Sequence, residues 1–145
     1  MSAIMIDTNV LVYRRDRSEP VKLDRADTVL TAISDGHVTA QVLGEYFSVV
    51  LRKFLHHTSA EIARAEIETI AAVFTVHPVT VDVVLEAGRG VQVHGLSFYD
   101  AQIWAAARLN GVPVVLTEDF CHGRVIEGVR YLNPFCDDFD LSELD

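Results

Sequence analysis

Two acidic residues stand where apolar runs stop: Ala3-Ile4-Met5-Ile6 ends in Asp7-Thr8-Asn9, and Val114-Val115-Leu116-Thr117 ends in Glu118-Asp119. A short continuous apolar run bounded by polar residues fits a strand buried on both faces of a parallel sheet. Ligands of open α/β sheets collect in the crevice beyond the carboxyl ends of such strands. If the two strands are neighbours, Asp7 and Asp119 face one crevice, and neither tolerates the other's charge without a cation or a shared proton between them. Thr8 and Asn9 carry the hydroxyl and amide that can fix a carboxylate's rotamer, although Asp7-Thr8-Asn9 reads equally as a cap and turn before a helix at Val10. Asp100 lies three residues after Ser97, which is also the spacing of a capping box, and Glu118 suits the cap of a following turn.

Those acids need elements to hold them. The segment after Pro20 supports a helix over Val21 to Ser34, with Ala26, Val29, Leu30 and Ile33 at steps of three and four, and Asp35-Gly36 ends it. His37-Val38-Thr39-Ala40 is short enough for a second strand. From Val42 onward, Leu43, Tyr46, Phe47, Val50, Leu51 and Phe54 keep the spacing of an amphipathic helix. Glu45 lies in its first turn nearly opposite that stripe, a solvated position favoured by the helix dipole. Ser59 caps a helix reaching Phe74, Thr75-Val76-His77 makes a third strand, and Thr80 caps a helix to about His94 that Gly88 and Gly90 weaken. Gly95 closes it. Ser97-Phe98-Tyr99-Asp100 opens an alanine-rich helix stopped by Gly111 and Pro113, and a last strand lies within Val129 to Leu132. Strands alternating with helices predict an α/β fold, a parallel sheet of four to five strands with right-handed crossovers and helices on both faces.

The 145 residues suffice for one domain, and 50% hydrophobic with 23% charged residues is a globular composition. The chain holds no apolar run long enough to span a membrane and no signal-peptide pattern, so a soluble cytoplasmic protein without membrane association is expected. Cys121 and Cys136 have no metal-type spacing, and the remaining histidines besides His122 are scattered without ligand spacing. The net charge of −9 argues against broad electrostatic capture of nucleic acid. Five of the 21 acids fall in the last nine residues, however, which read as a solvated acidic end, and the rest of the chain carries 16 acids against 12 bases. Arg14, Arg15 and Arg17 can meet phosphates locally or form an ordinary exposed face. There is no G-x-x-x-x-G-K-[ST] phosphate loop, and Asn9 stands where a haloacid-dehalogenase phosphatase needs its second Asp.

Four pieces together resemble a known family. They are Ile6-Asp7-Thr8-Asn9; Gln41-Val42-Leu43-Gly44-Glu45-Tyr46 with Arg52-Lys53; Leu96-Ser97-Phe98-Tyr99-Asp100-Ala101; and Leu116-Thr117-Glu118-Asp119-Phe120 with His122-Gly123 and Asn133-Pro134-Phe135. In this order the chain resembles a PIN-domain ribonuclease, and more narrowly a VapC-type toxin of a toxin–antitoxin pair. The resemblance covers residues 1–135 and leaves 136–145 as an acidic C-terminal tail. It implies the PIN-like three-layer fold and a metal-dependent endoribonuclease with Asp7, Glu45, Asp100 and Asp119 as the catalytic acids. Asp7, Asp100 and Asp119 would hold Mg²⁺ or Mn²⁺, while Thr8, Asn9, Thr117 and Glu118 would stand behind them. On Glu45 it overrides the solvated position that periodicity gives. It further implies an RNA substrate, a cognate antitoxin protein and a homodimer, with the helices around Val42 to Phe74 as the surface to inspect. The competing reading is a non-catalytic PIN-like module that binds RNA or protein.

Overall fold

Ile4, Met5 and Ile6 form β1 (Ile4–Ile6), and all three are fully buried. Each such side chain contributes roughly 1.5–3 kcal/mol. The computed structural model describes residues 1–145. In chain order β1 is followed by α1 (Thr8–Tyr13), α2 (Pro20–Ala32), β2 (Gly36–Thr39), α3 (Ala40–Lys53), α4 (Ala60–Val73), β3 (Thr75–His77), α5 (Val81–His94), α6 (Phe98–Leu109), β4 (Val114–Leu116), β5 (Val125–Ile126) and β6 (Val129–Leu132). The caps read from the sequence are in place, the side chains of Ser59 and Thr80 each accepting a backbone N–H at the start of α4 and α5, and Thr39, read as strand, also caps α3.

The strands form one sheet in the order β3-β2-β1-β4-β6-β5, parallel throughout except for the β5/β6 pair. From β1 the chain moves outward through β2 to β3, then returns to place β4 on the other side of β1. Right-handed crossovers in opposite directions put the helices of the two halves on opposite faces, which gives the three layers the sequence predicts. The reversal also creates a switch point, where the carboxyl ends of β1 and β4 lie side by side with Ile6 opposite Leu116. No helix is long and apolar enough to cross a membrane.

Three details depart from the sequence reading. The sheet has six strands rather than four to five, because Val125–Ile126 pairs antiparallel with β6 through a two-residue turn. That turn places Glu127 at φ 47° and Gly128 at φ 83°, the two positive angles of a type I′ hairpin, without the usual Asn-Gly signal. Helix α5 runs unbroken through Gly88 and Gly90, since Gly90 lets α6 pack closely: a Cβ there would come within 2.8 Å of the buried Trp104 ring. The acidic end is not wholly solvated. Asp140 caps a 3-10 turn over Leu141–Leu144, Glu143 receives His122 and Arg130, and Leu144 is only 1% exposed in the core.

Candidate active site

Asp7 follows β1 directly and is buried at the switch point. It is both the helix cap and the candidate site residue that the sequence left as alternatives. Its Oδ1 accepts the Thr8 N–H at 2.7 Å, and its Oδ2 accepts the Thr117 hydroxyl at 2.8 Å. Asn9 reaches across from α1, donating to Thr117 Oγ1 at 3.2 Å and Asp119 Oδ2 at 3.1 Å. Asp119 N–H in turn donates to Thr117 Oγ1 at 3.2 Å, so one threonine hydroxyl ties the two strand ends together. Thr8, Asn9 and Thr117 thus each hydrogen-bond at least one carboxylate of the cleft.

Asp100 enters from the first turn of α6. Its carboxylate does not cap the helix; Oδ2 instead accepts the Ser97 hydroxyl at 2.7 Å, which fixes its rotamer. Carboxylate oxygens of Asp7, Asp100 and Asp119 all lie within 4.8 Å of one another. Their hydrogen-bond partners are uncharged. Burial accordingly pushes the Asp7 pKa up to about 7, opposed by the Thr117 and Thr8 hydrogen bonds and reinforced by the charges of Asp119 and Asp100. The Asp119 pKa is also raised, first by partial desolvation and then by Asp100 and Glu118, although its side chain reaches solvent on the rim.

Glu45 lies outside this trio but on the same cleft of about 320 Å³. Helix α3 lies against α1, so the side of α3 opposite its apolar stripe faces the cleft, and Glu45 is half-buried there. Its Oε2 accepts the Thr8 hydroxyl at 2.9 Å, and its Oε1 accepts the Gln41 amide. Gln41 receives the amide of Gln102, buried on α6 two residues past Asp100. A relay of side chains therefore links α6, α3 and α1 behind the acids. Sequence reading missed Gln41 and Gln102; the available signals were the four-residue step from Gln41 to Glu45 and a lone glutamine inside an apolar helix. Glu118 goes elsewhere. Its carboxylate accepts Tyr13 at 2.8 Å and Lys22 at 3.1 Å, away from the trio. His122 is used by the loop, accepting the Asn133 N–H and meeting Glu143.

All donors at the trio are carboxylate oxygens, the set that Mg²⁺ and Mn²⁺ prefer over softer metals. Like charges this close, with Asp7 already driven toward its neutral form, fit a divalent cation among them. The same oxygens could share a proton instead, but only below the raised pKa of Asp7.

The family model for the PIN domain matches residues 4–125. No curated protein sequence matches the chain. Among solved structures, the Mycobacterium tuberculosis VapC20, a sarcin-ricin loop cleaving toxin, is similar at a TM-score of 0.64 and 21% identity, over 78% of this chain and 87% of that one. A toxin–antitoxin complex from Klebsiella pneumoniae reaches a TM-score of 0.68 at 20% identity, over 92% of this chain and 98% of that one. The DNA-bound VapBC of Salmonella typhimurium gives 0.62 at 20% identity, over 90% and 97%. At these identities the likeness speaks to the fold.

Proposed function

Because this chain belongs to the PIN domain family, we propose that it is a divalent-metal-dependent endoribonuclease and the toxin of a toxin–antitoxin pair. The observation that carries the reading is the uncompensated trio, Asp7, Asp100 and Asp119, with oxygens within 4.8 Å at the switch point of the sheet. These three would hold Mg²⁺ or Mn²⁺. A bound divalent cation supplies the acidity and the positive charge that phosphodiester hydrolysis needs at neutral pH.

The rest is done by the chain's own groups. Thr117 and Asn9 orient Asp7 and Asp119 through the bonds described above, and Ser97 fixes Asp100. Glu45, braced by Thr8 and Gln41, presents a carboxylate to the same cleft and is placed to accept a proton from the attacking water. Cleavage of this kind leaves a 5′-phosphate and a 3′-hydroxyl. The likeness to the Klebsiella and Salmonella complexes supports an antitoxin protein as partner. A second copy of the chain is the other expected partner. Ile62 and Val73 on α4 with Leu55 before it, and Val81, Leu85 and Val93 on α5, are exposed apolar side chains available for such contacts.

Incubation of the purified protein with structured and single-stranded RNAs, with Mg²⁺, Mn²⁺ or EDTA, tests the reading. Cleavage that requires the cation and is lost in a folded Asp100→Asn protein is the expected result. A folded Asp100→Asn protein that cuts at the wild-type rate overturns it.

A further inference from the structure

The cleft has two tyrosines in its wall, Tyr13 and Tyr99, and the chain treats them differently. Tyr13 is engaged on every side. Its hydroxyl donates to Glu118 at 2.8 Å and accepts from Lys22 at 3.1 Å, the Lys22 ammonium sits 4.5 Å from its ring centroid, and Phe135 meets it edge-on at 5.0 Å. Tyr99 precedes Asp100 in the first turn of α6, is 65% exposed, and touches Phe98 edge-on at 5.5 Å, with Phe98 itself 39% exposed. Folding gains little from rings left in water. Aromatic residues are also poorer helix formers than the alanines that follow. An exposed aromatic ring in the wall of an acidic cleft, with a second exposed ring beside it, suits a ligand with a flat apolar face.

We infer that Tyr99 is a stacking platform for one unpaired nucleobase of the RNA strand, which sets the adjoining phosphodiester over the carboxylates. This rests on the ribonuclease reading above. Charge is the first reason. The cleft is lined by Asp7, Glu45, Asp100 and Asp119, and its one cationic side chain, Lys53, is ion-paired with buried Asp16 at 2.7 Å. A chain of net charge −9 cannot gather RNA by broad attraction. Stacking works without charge and accepts any base, since every base has a π-face. Rigidity is the second reason. Ser97 pins Asp100 and Phe98 braces Tyr99 on one helical turn, so a base laid on the ring has its own phosphate delivered to the neighbouring carboxylate. The substrate class follows. A base can reach the ring only when it is free of a duplex stack, so single-stranded or looped RNA is selected over paired RNA.

The test uses the full chain carrying Asp119→Asn, so that RNA stays intact, with Mg²⁺ present. The probes are a fluorescein-labelled single-stranded hexaribonucleotide and a hexamer of the same length with abasic riboses. The base-bearing strand is expected to bind about tenfold more tightly. Adding Tyr99→Ala or Tyr99→Leu should erase that preference, and Tyr99→Phe or Tyr99→Trp should keep it. In the cleaving protein, Tyr99→Ala should raise KM about tenfold, with a much smaller change in kcat. Equal binding of both probes by the Tyr99 protein overturns the platform, as does an unchanged preference in Tyr99→Ala; the latter assigns the exposed rings to a protein partner. Either result alongside intact metal-dependent cleavage removes the platform alone, whereas a wild-type chain that cuts no RNA removes the ribonuclease reading beneath it.

Discussion

Helix α6 carries charged clusters at both ends, and they are built on opposite plans. At its amino end Asp100 joins Asp7 and Asp119, with Ser97, Thr8, Asn9 and Thr117 as uncharged partners. At its carboxyl end Arg108 meets Glu86 at 3.0 Å, while Arg89 and His94 meet Glu127 at 2.8 and 2.7 Å on the turn before β6. There every carboxylate is answered. Glu127 is held down to about 2, chiefly by the Arg89 and His94 hydrogen bonds, while burial drives Asp7 up to about 7. The ion pairs also hold Glu127 at its strained φ of 47°, so that cluster closes a hairpin. An accumulation of acids is therefore not what marks a site. The missing counter-charge is.

The sharpest way to break this contrast is to remove one charge from each end. Asp119→Asn should lower cleavage by roughly 10²- to 10³-fold or more, the scale on which removing one electrostatic group from a reacting centre acts. Its melting temperature should stay the same or rise, because a repelled charge has gone. Glu127→Gln should do the reverse, lowering the melting temperature and leaving cleavage at the wild-type rate. Paired assays of RNA cleavage and thermal unfolding on the two proteins read both outcomes. A Glu127→Gln protein that loses cleavage at full stability would erase the distinction.

The amino end was legible in the sequence to the extent that strand ends are. The apolar runs before Asp7 and Asp119 locate β1 and β4, and parallel pairing in register brings their ends together. Asp100 was ambiguous because a capping box has the same spacing, and only the family resemblance chose between the roles. Glu45 misled periodicity because α3 has two buried sides: its stripe meets the core, and its other side meets the cleft. Gln41 and Gln102 left only a four-residue step to Glu45 and a lone glutamine in an apolar helix as local signals, and their bond across 61 positions leaves no pattern that joins them. The carboxyl end was equally hidden. Glu127-Gly128 is an unusual hairpin pair, stabilised by arginines on α5 and α6 that no short window contains, and Leu144 is drawn into the core from a segment that composition marks as solvated.

The two ends should also respond oppositely to pH. The folded pKa of Asp7 lies above its ordinary value of 3.8, so the stability tied to it is complete below about pH 4 and is lost as pH rises through about 7. Without divalent cation, unfolding free energy should fall across that window by about 4 kcal/mol at most. Glu127, whose pKa is lowered, contributes stability above about pH 4.5 that disappears as pH falls through about 2. Denaturant unfolding at pH 5 and pH 8 reads the first effect, and Asp7→Asn should flatten it. Mg²⁺ or Mn²⁺ at a hundred times its dissociation constant should restore about 2.7 kcal/mol at pH 8, an increment absent from Asp100→Asn.

The smallest effect concerns a polar group near the Asp7–Asp100–Asp119 cluster that is unanswered without being required. Tyr131, on β6 and 1% exposed, stacks on Phe120 at 4.1 Å, and its hydroxyl has no hydrogen-bond partner. Burial raises its pKa, and the charges of Asp100 and Asp7 push the same way against Arg124. Tyr131→Phe keeps the ring stack and deletes the orphaned hydroxyl. It should therefore stabilise the protein by about 1 kcal/mol, or about 3 °C in melting temperature. Cleavage should not change. If it falls, the hydroxyl belongs with the acids as part of the site; if the melting temperature falls instead, a buried water answers the hydroxyl in solution, and the surroundings of the three acids have one uncompensated group fewer than their side chains suggest.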